Sequence, residues 1–158
     1  MISLAFKGLI VSGVYSAGSI IIDRFRAVRN GGSGISIGKD GSPGVASLII
    51  RDSILESNNP DGHEWRGVQE SELHFLSLLP SFDPSITRFG GVWIDNLSVV
   101  LSHQHGNKSS WLTTVGDGVM TRVSGNVTVH SAIGCPLLPP NFGAGATDIH
   151  VSVACVPT

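Results

Sequence analysis

Cysteine is almost missing from this chain: 158 residues carry two, Cys135 and Cys155. Two cysteines do not make the disulfide framework of a small secreted scaffold; they either pair late in the chain or stand as two buried thiols. Charge is scarce too. Ten basic residues meet twelve acidic ones for a net charge of −2, which supplies no basic surface for nucleic acid phosphates. Low charge (14%) beside 41% apolar residues is also not the composition of a disordered chain. Long apolar runs are lacking. The nearest is Met1–Ile22, but Lys7 interrupts it, and its Gly, Ser and β-branched content reads as a strand entering a core. No targeting segment and no membrane partner are expected from it.

Catalytic signatures are lacking as well. There is no G-x-S-x-G, Walker or dinucleotide-binding motif, so no cofactor is expected. His103 and His105 would share a face of a strand, but no Cys or carboxylate follows at ligand spacing; they read as a polar loop, and no metal is expected. Asn96, Asn107 and Asn126 match the N-glycosylation pattern, which carries weight only behind a secretion signal.

What the sequence has is glycine, 20 residues of it, and repetition. Ser19–Asn30 reads SIIIDRFRAVRN, and Ser47–Asn58 answers it with SLIIRDSILESN. With Ile22 as anchor, matches follow at Ile50, Ile94, Val123 and Val151. The steps are nearly equal except the one from Ile50 to Ile94, which is about half as long again. Two positions before the anchors stand Ile20, Leu48, Val92, Thr121 and Ile149; directly after them come Asp23, Arg51, Asp95, Ser124 and Ser152. That is in-out alternation with period two at five places, the pattern of half-buried strands. Leucine-rich signatures and 3.6-residue periodicity are both missing, which leaves stacked strands as the repeat type.

Stacking explains the repeated asparagine. Asn30 would lie against Asn58 in equivalent turns, each amide donating to the next, with Asn tolerating a left-handed turn conformation. The ladder stops there, because the equivalent later positions are Ser102 and Ser131. Gly34 and Gly62 recur in the same register. Asp23 would face Arg51 and Arg24 would face Asp52, a crossed pair of charges that sets register more than stability.

The long step between Ile50 and Ile94 places an insertion at about 59–91 of a single 1–158 domain. Leu73, Leu76 and Leu79 stand at helical spacing between a capping Ser71 and Pro80, which predicts a short helical excursion. Glu64, Trp65 and Arg66 lie in the same insertion. An aromatic face flanked by two charges is what stacks on and hydrogen-bonds a sugar, so these three are the candidate ligand-binding residues. A candidate polar stripe on the outer face comprises Asp23, Arg51, Asp52 and Asp95.

The segments IIIDRFRAVRNGGSGISIG and SLIIRDSILESNNPDG resemble the right-handed parallel β-helix of bacteriophage tailspikes and the pectin-lyase-like superfamily. The resemblance is clear over Leu4 to Asn58, looser beyond, and carries no catalytic motif. It implies an all-β solenoid of about five coils, and a viral structural or receptor-binding protein that assembles as a homotrimer and binds bacterial surface polysaccharide on the virion. The chain opens on AFKGLIVSG, already a coil strand. The resemblance therefore also implies the rest of a longer spike, or another virion protein, covering that end. A secreted polysaccharide lyase or hydrolase and a cell-surface adhesin passenger are the alternatives. Catalytic residues are not assigned for either.

Overall fold

A computed structural model describes residues 8–14, 19–39, 46–62, 64–65, 68–69, 71–77, 89–101, 110–115, 122–132, 134–135, 140 and 148–158. Thirteen strands lie in these residues, and no helix does. They are β1 (Leu9–Val14), β2 (Ser19–Asp23), β3 (Arg26–Val28), β4 (Ile35–Lys39), β5 (Ala46–Arg51), β6 (Ile54–Glu56), β7 (Glu64–Trp65), β8 (Val68–Gln69), β9 (Leu73–Ser77), β10 (Phe89–Leu101), β11 (Leu112–Val115), β12 (Arg122–Ser131) and β13 (Asp148–Pro157).

Two parallel sheets hold all but two of them. The smaller runs β1-β4-β9-β11. The larger runs β13-β12-β10-β5-β2, with β3 and β6 continuing the line of β2 and β5 alongside β10. From β1 to β12 the chain visits the two sheets in turn, β13 then follows β12 within the larger sheet, and each return lays a strand beside its predecessor. Only β7 and β8 pair antiparallel, as a small hairpin.

The repeat seen in the sequence is the register of the larger sheet. Ile22 lies beside Ile50 and Ile50 beside Ile94; Ile20, Leu48 and Val92 make the neighbouring row. The fourth anchor is displaced. Val123 pairs with Val92, and Gly125 stands opposite Ile94 and Val151. A slip of two positions keeps the alternation in phase, which is why Val123 is still fully buried. A bulge follows at once, where Asp95 and Asn96 together oppose the single residue Asn126.

Inward residues of both sheets meet in one core, with Ile35, Ile37, Leu73, Phe75 and Leu112 from the smaller sheet facing Leu48, Ile50, Val92, Ile94 and Val123 from the larger. Each such side chain removed from water contributes about 1.5–3 kcal/mol.

The predicted helix is instead strand β9. Leu73 and Phe75 point into the core and pair with Ile35 and Ile37 on one side and Leu112 and Thr114 on the other. The leucine spacing fits a helix, but two flanking strands with open hydrogen-bonding edges decide the matter. The inserted length therefore falls on both sides of β9. The path from β6 to β9 is longer than the equivalent path from β3 to β4, and the β7–β8 hairpin lies on it. The remainder follows β9.

The bends within the larger sheet fall on residues with left-handed backbone. Arg24, Asp52 and Asn96 have φ of 52°, 49° and 53°, and Arg29 and Ser57 both have 53°. Each conformation turns a backbone N–H onto the neighbouring strand: Arg24 N donates to Arg51 O, Asp52 N to Asp95 O, and Ser57 N to Val100 O. Asn30 and Asn58, expected to be the left-handed residues, each follow one.

The asparagine ladder itself is present. Asn30 Nδ2 donates to Asn58 Oδ1 at 2.7 Å, and Asn30 N donates to the same oxygen at 3.0 Å. Gly34 leaves room for it, since a Cβ there would lie 2.8 Å from Asn58 Nδ2. In register Gly34 stands against Glu72 rather than Gly62, because Ile35 N donates to Glu72 O. Ser131 pairs with Leu101, one position off the asparagine column, and Ser102 lies outside the described residues.

Cys135 and Cys155 are joined in a disulfide, with 6.2 Å between their Cα atoms, which ties β13 to the turn after β12.

Candidate functional site

Alternation that buries one face of β2, β5, β10 and β12 presents the other to solvent, and β13 extends that outer face at the edge of the sheet. One outward row reads Ile21, Ile49, Trp93, Ser124, His150; two positions along, Asp23, Arg51 and Asp95 follow one another across three strands. Three of the four residues of the expected polar stripe thus lie side by side, with Asp52 next to Arg51 at the bend.

The charges along this row are interlocked. Arg51 donates to Asp23 Oδ2 at 3.2 Å, and Arg24 reaches the same oxygen at 3.5 Å. The crossed pairing is therefore half realised. Asp23 faces Arg51 as expected, whereas Arg24 turns back to Asp23 and Asp52 accepts from Asn96 Nδ2 at 2.8 Å. The Arg51 guanidinium holds the Asp23 carboxyl below its ordinary range, against a smaller opposing effect of desolvation. Asn126 completes the network where the bulge breaks the backbone ladder: its Oδ1 accepts from Asn96 N at 2.8 Å, and its Nδ2 donates to Asp95 Oδ1 at 3.1 Å. Asn96 and Asn126, noted in the sequence as glycosylation motifs, are thereby committed to side-chain ladders.

Trp93 is the residue that sequence reading passed over. It is 45% exposed, a large apolar surface in the middle of a sheet. Its indole lies over Gly91, where a Cβ would come within 2.7 Å of two ring atoms. The missing side chain at Gly91 lets the ring lie against the backbone. Beside it opens a groove of about 510 Å³ lined by Ile49, Arg51, Trp93, Ile94, Asp95 and Gly125. That size is within the range of small-ligand sites, ~300–1,000 Å³. The groove combines an aromatic platform, an apolar floor, a guanidinium and a carboxylate on strands held by neighbours on both sides. The signal was in the alternation: with Val92 and Ile94 inward, Trp93 had to face out.

The insertion site is only partly described. Glu64 is exposed on β7, where it pairs with Gln69, and Trp65 pairs with Val68. Arg66, His103, His105 and the Trp65 side chain lie outside the described residues. Among the described residues no group of three His, Cys, Asp or Glu is placed to hold a metal ion, and no helix is long and apolar enough to cross a membrane.

Family models, curated proteins and solved structures were all compared with the chain, and none matches it.

Proposed function

We propose that the chain is a right-handed parallel β-helix of about five coils from a bacteriophage virion, resembling a tailspike, and that it binds host surface polysaccharide through the outer face of its larger sheet. The observation that carries the binding role is the exposed Trp93 indole, seated on Gly91 and sharing a groove with the adjacent pair Arg51 and Asp95. An aromatic face takes the C–H surface of a sugar ring, while adjacent charged groups take its hydroxyls. A rigid parallel sheet keeps these groups in place without ordering a loop. The solenoid reading is supported by the alternation of the chain between two parallel sheets from β1 to β12, each sheet being built in chain order. An extracellular location is supported by the Cys135–Cys155 disulfide, a bond that persists in oxidising surroundings. The homotrimer is supported by the exposed Ile149, Val153 and Val156 of the outermost strand β13, apolar surface that association would cover.

The test is adsorption of the purified protein to bacterial cells and to extracted surface polysaccharide. Trp93→Ala should weaken binding roughly tenfold or more, the effect of a hot-spot aromatic, with the melting temperature unchanged. Trp65→Ala is the companion variant; loss of binding there alone would move the site to the β7–β8 hairpin. Release of reducing ends or unsaturated sugars by the wild type would replace the binding role with an enzymatic one.

A further inference from the structure

The two cations at the groove and its border are already engaged. Arg24 and Arg51 both converge on Asp23 Oδ2. Asp52 and Asp95 remain as carboxylates close enough to Arg51 to act on its charge. Three carboxylates therefore face two guanidiniums at the groove and its border, and Asp95 is the charge that lines the groove beside Arg51. One Asp95 oxygen accepts from Asn126, and its geometry leaves the second lone-pair set of the carboxylate for a further donor.

We infer that the groove selects an uncharged pyranose and discriminates against sugars that carry a carboxylate, sulfate or phosphate. The inference rests on the glycan-binding reading above and narrows it. An anionic group seeking Arg51 must share the guanidinium with Asp23 and lie beside Asp95, so its gain there is offset by desolvation and like-charge contact. A neutral sugar meets no such opposition. Its C–H face packs on Trp93 and Ile49, one hydroxyl donates to Asp95, and another accepts from an Arg51 N–H that Asp23 does not use.

The experiment is a printed array of defined neutral and acidic oligosaccharides, probed with the full chain and with Trp93→Ala, Asp23→Asn and Asp95→Asn. Wild type should bind neutral glycans, with signal steady to within about twofold between about 0.05 and about 0.5 M NaCl, since no charge is neutralised on binding. Trp93→Ala should lose that signal by about tenfold. Asp23→Asn releases Arg51 and should raise acidic-glycan signal several-fold, while Asp95→Asn should weaken neutral binding. Binding confined to acidic glycans, or binding that collapses with salt, overturns the inference while leaving the glycan reading intact. Absence of any Trp93-dependent signal defeats both. Light scattering on the same variants decides a third outcome: if Trp93→Ala breaks an oligomer apart, the groove is an interface between copies and both readings fall.

Discussion

The Glu72 carboxylate takes both donors of Asn58, the backbone N–H at 2.8 Å and the side-chain amide at 2.5 Å. Asn58 in turn accepts both donors of Asn30, and its amide also reaches Ala27 O at 3.1 Å. Two stacked turns are thus closed by one acid that is only 3% exposed. Glu72 reaches this place because it directly precedes β9.

Burial pushes the Glu72 carboxyl up from 4.5 to about 7, with the Asn58 donors opposing and Glu56 adding a smaller push in the same direction. The sign of the linkage follows. A folded-state value above the unfolded one means that the folded protein binds the proton more tightly. This contribution is therefore complete below about pH 4.5 and is lost as pH rises to about 7. The loss is on the order of 3 kcal/mol. Urea titrations at several pH values should show stability falling across that window. Glu72→Gln should flatten the fall, and an equal slope in the variant would show that another group is responsible.

Asn58 and Asn30 look alike in sequence, but their removal should not cost the same. Asn58→Ala takes away the acceptor for Asn30 and both donors to a buried carboxyl, and should destabilise by about 2–4 kcal/mol. Asn30→Ala leaves the Glu72 contact whole and should cost about 1 kcal/mol. Denaturant midpoints of the two variants measure the difference.

How far the sequence can be read depends on which interactions are local to the repeat. The pairing of Asp23 with Arg51 and of Asn30 with Asn58 was legible because the members of each pair occupy the same place in two matched strings. The slip of β12 was not, since moving Val123 by two positions preserves the alternation, and the bulge at Asp95 and Asn96 leaves Leu97 facing inward as well. Strand β9 was misread because Leu73, Leu76 and Leu79 satisfy helical spacing, and only the neighbouring edges of β4 and β11 exclude it. Trp93 was within reach, yet its exposure draws notice only once Val92 and Ile94 are known to face the core.

At the bends, Arg29 adopts φ of 53° and gives its backbone N–H to Glu56 O. A non-glycine residue in this conformation is strained by about 1 kcal/mol, and the hydrogen bond is made by the backbone. Arg29→Gly should therefore hold or raise stability by up to about 1 kcal/mol, whereas Arg29→Val should lower it. A clear loss with glycine would show that the Arg29 side chain matters more than its backbone.

Reduction tests the end of the sheet. The disulfide joins cysteines separated by 20 positions, Cys135 and Cys155. A loop of that length is worth about 3 kcal/mol by chain entropy. Melts with and without reductant should show that loss, and hydrogen exchange should place it first in β13, which pairs along one edge with β12.

Two glycines separate the site from the scaffold. Gly125 has φ of 129°, and a Cβ there would fall 1.7 Å from Ile94 O, inside a backbone that cannot move aside. Gly125→Ala should therefore cost several kcal/mol or abolish folding. Gly91 is different. Its backbone lies outside the left-handed region, beside a register shift between Phe89 and Gly91, and the atoms within 2.7 Å of its would-be Cβ are the outer ring atoms of Trp93. A methyl group at Gly91 has only the indole to displace, and the indole can swing away from the sheet. Gly91→Ala should keep stability to within about 1 kcal/mol, because alanine also loses less backbone entropy than glycine on folding. Near-UV dichroism and tryptophan fluorescence should change as the ring leaves its seat, and glycan binding should fall about as far as in Trp93→Ala. If binding survives with the ring displaced, Trp93 is not the platform; if the protein unfolds instead, the indole is part of the packing.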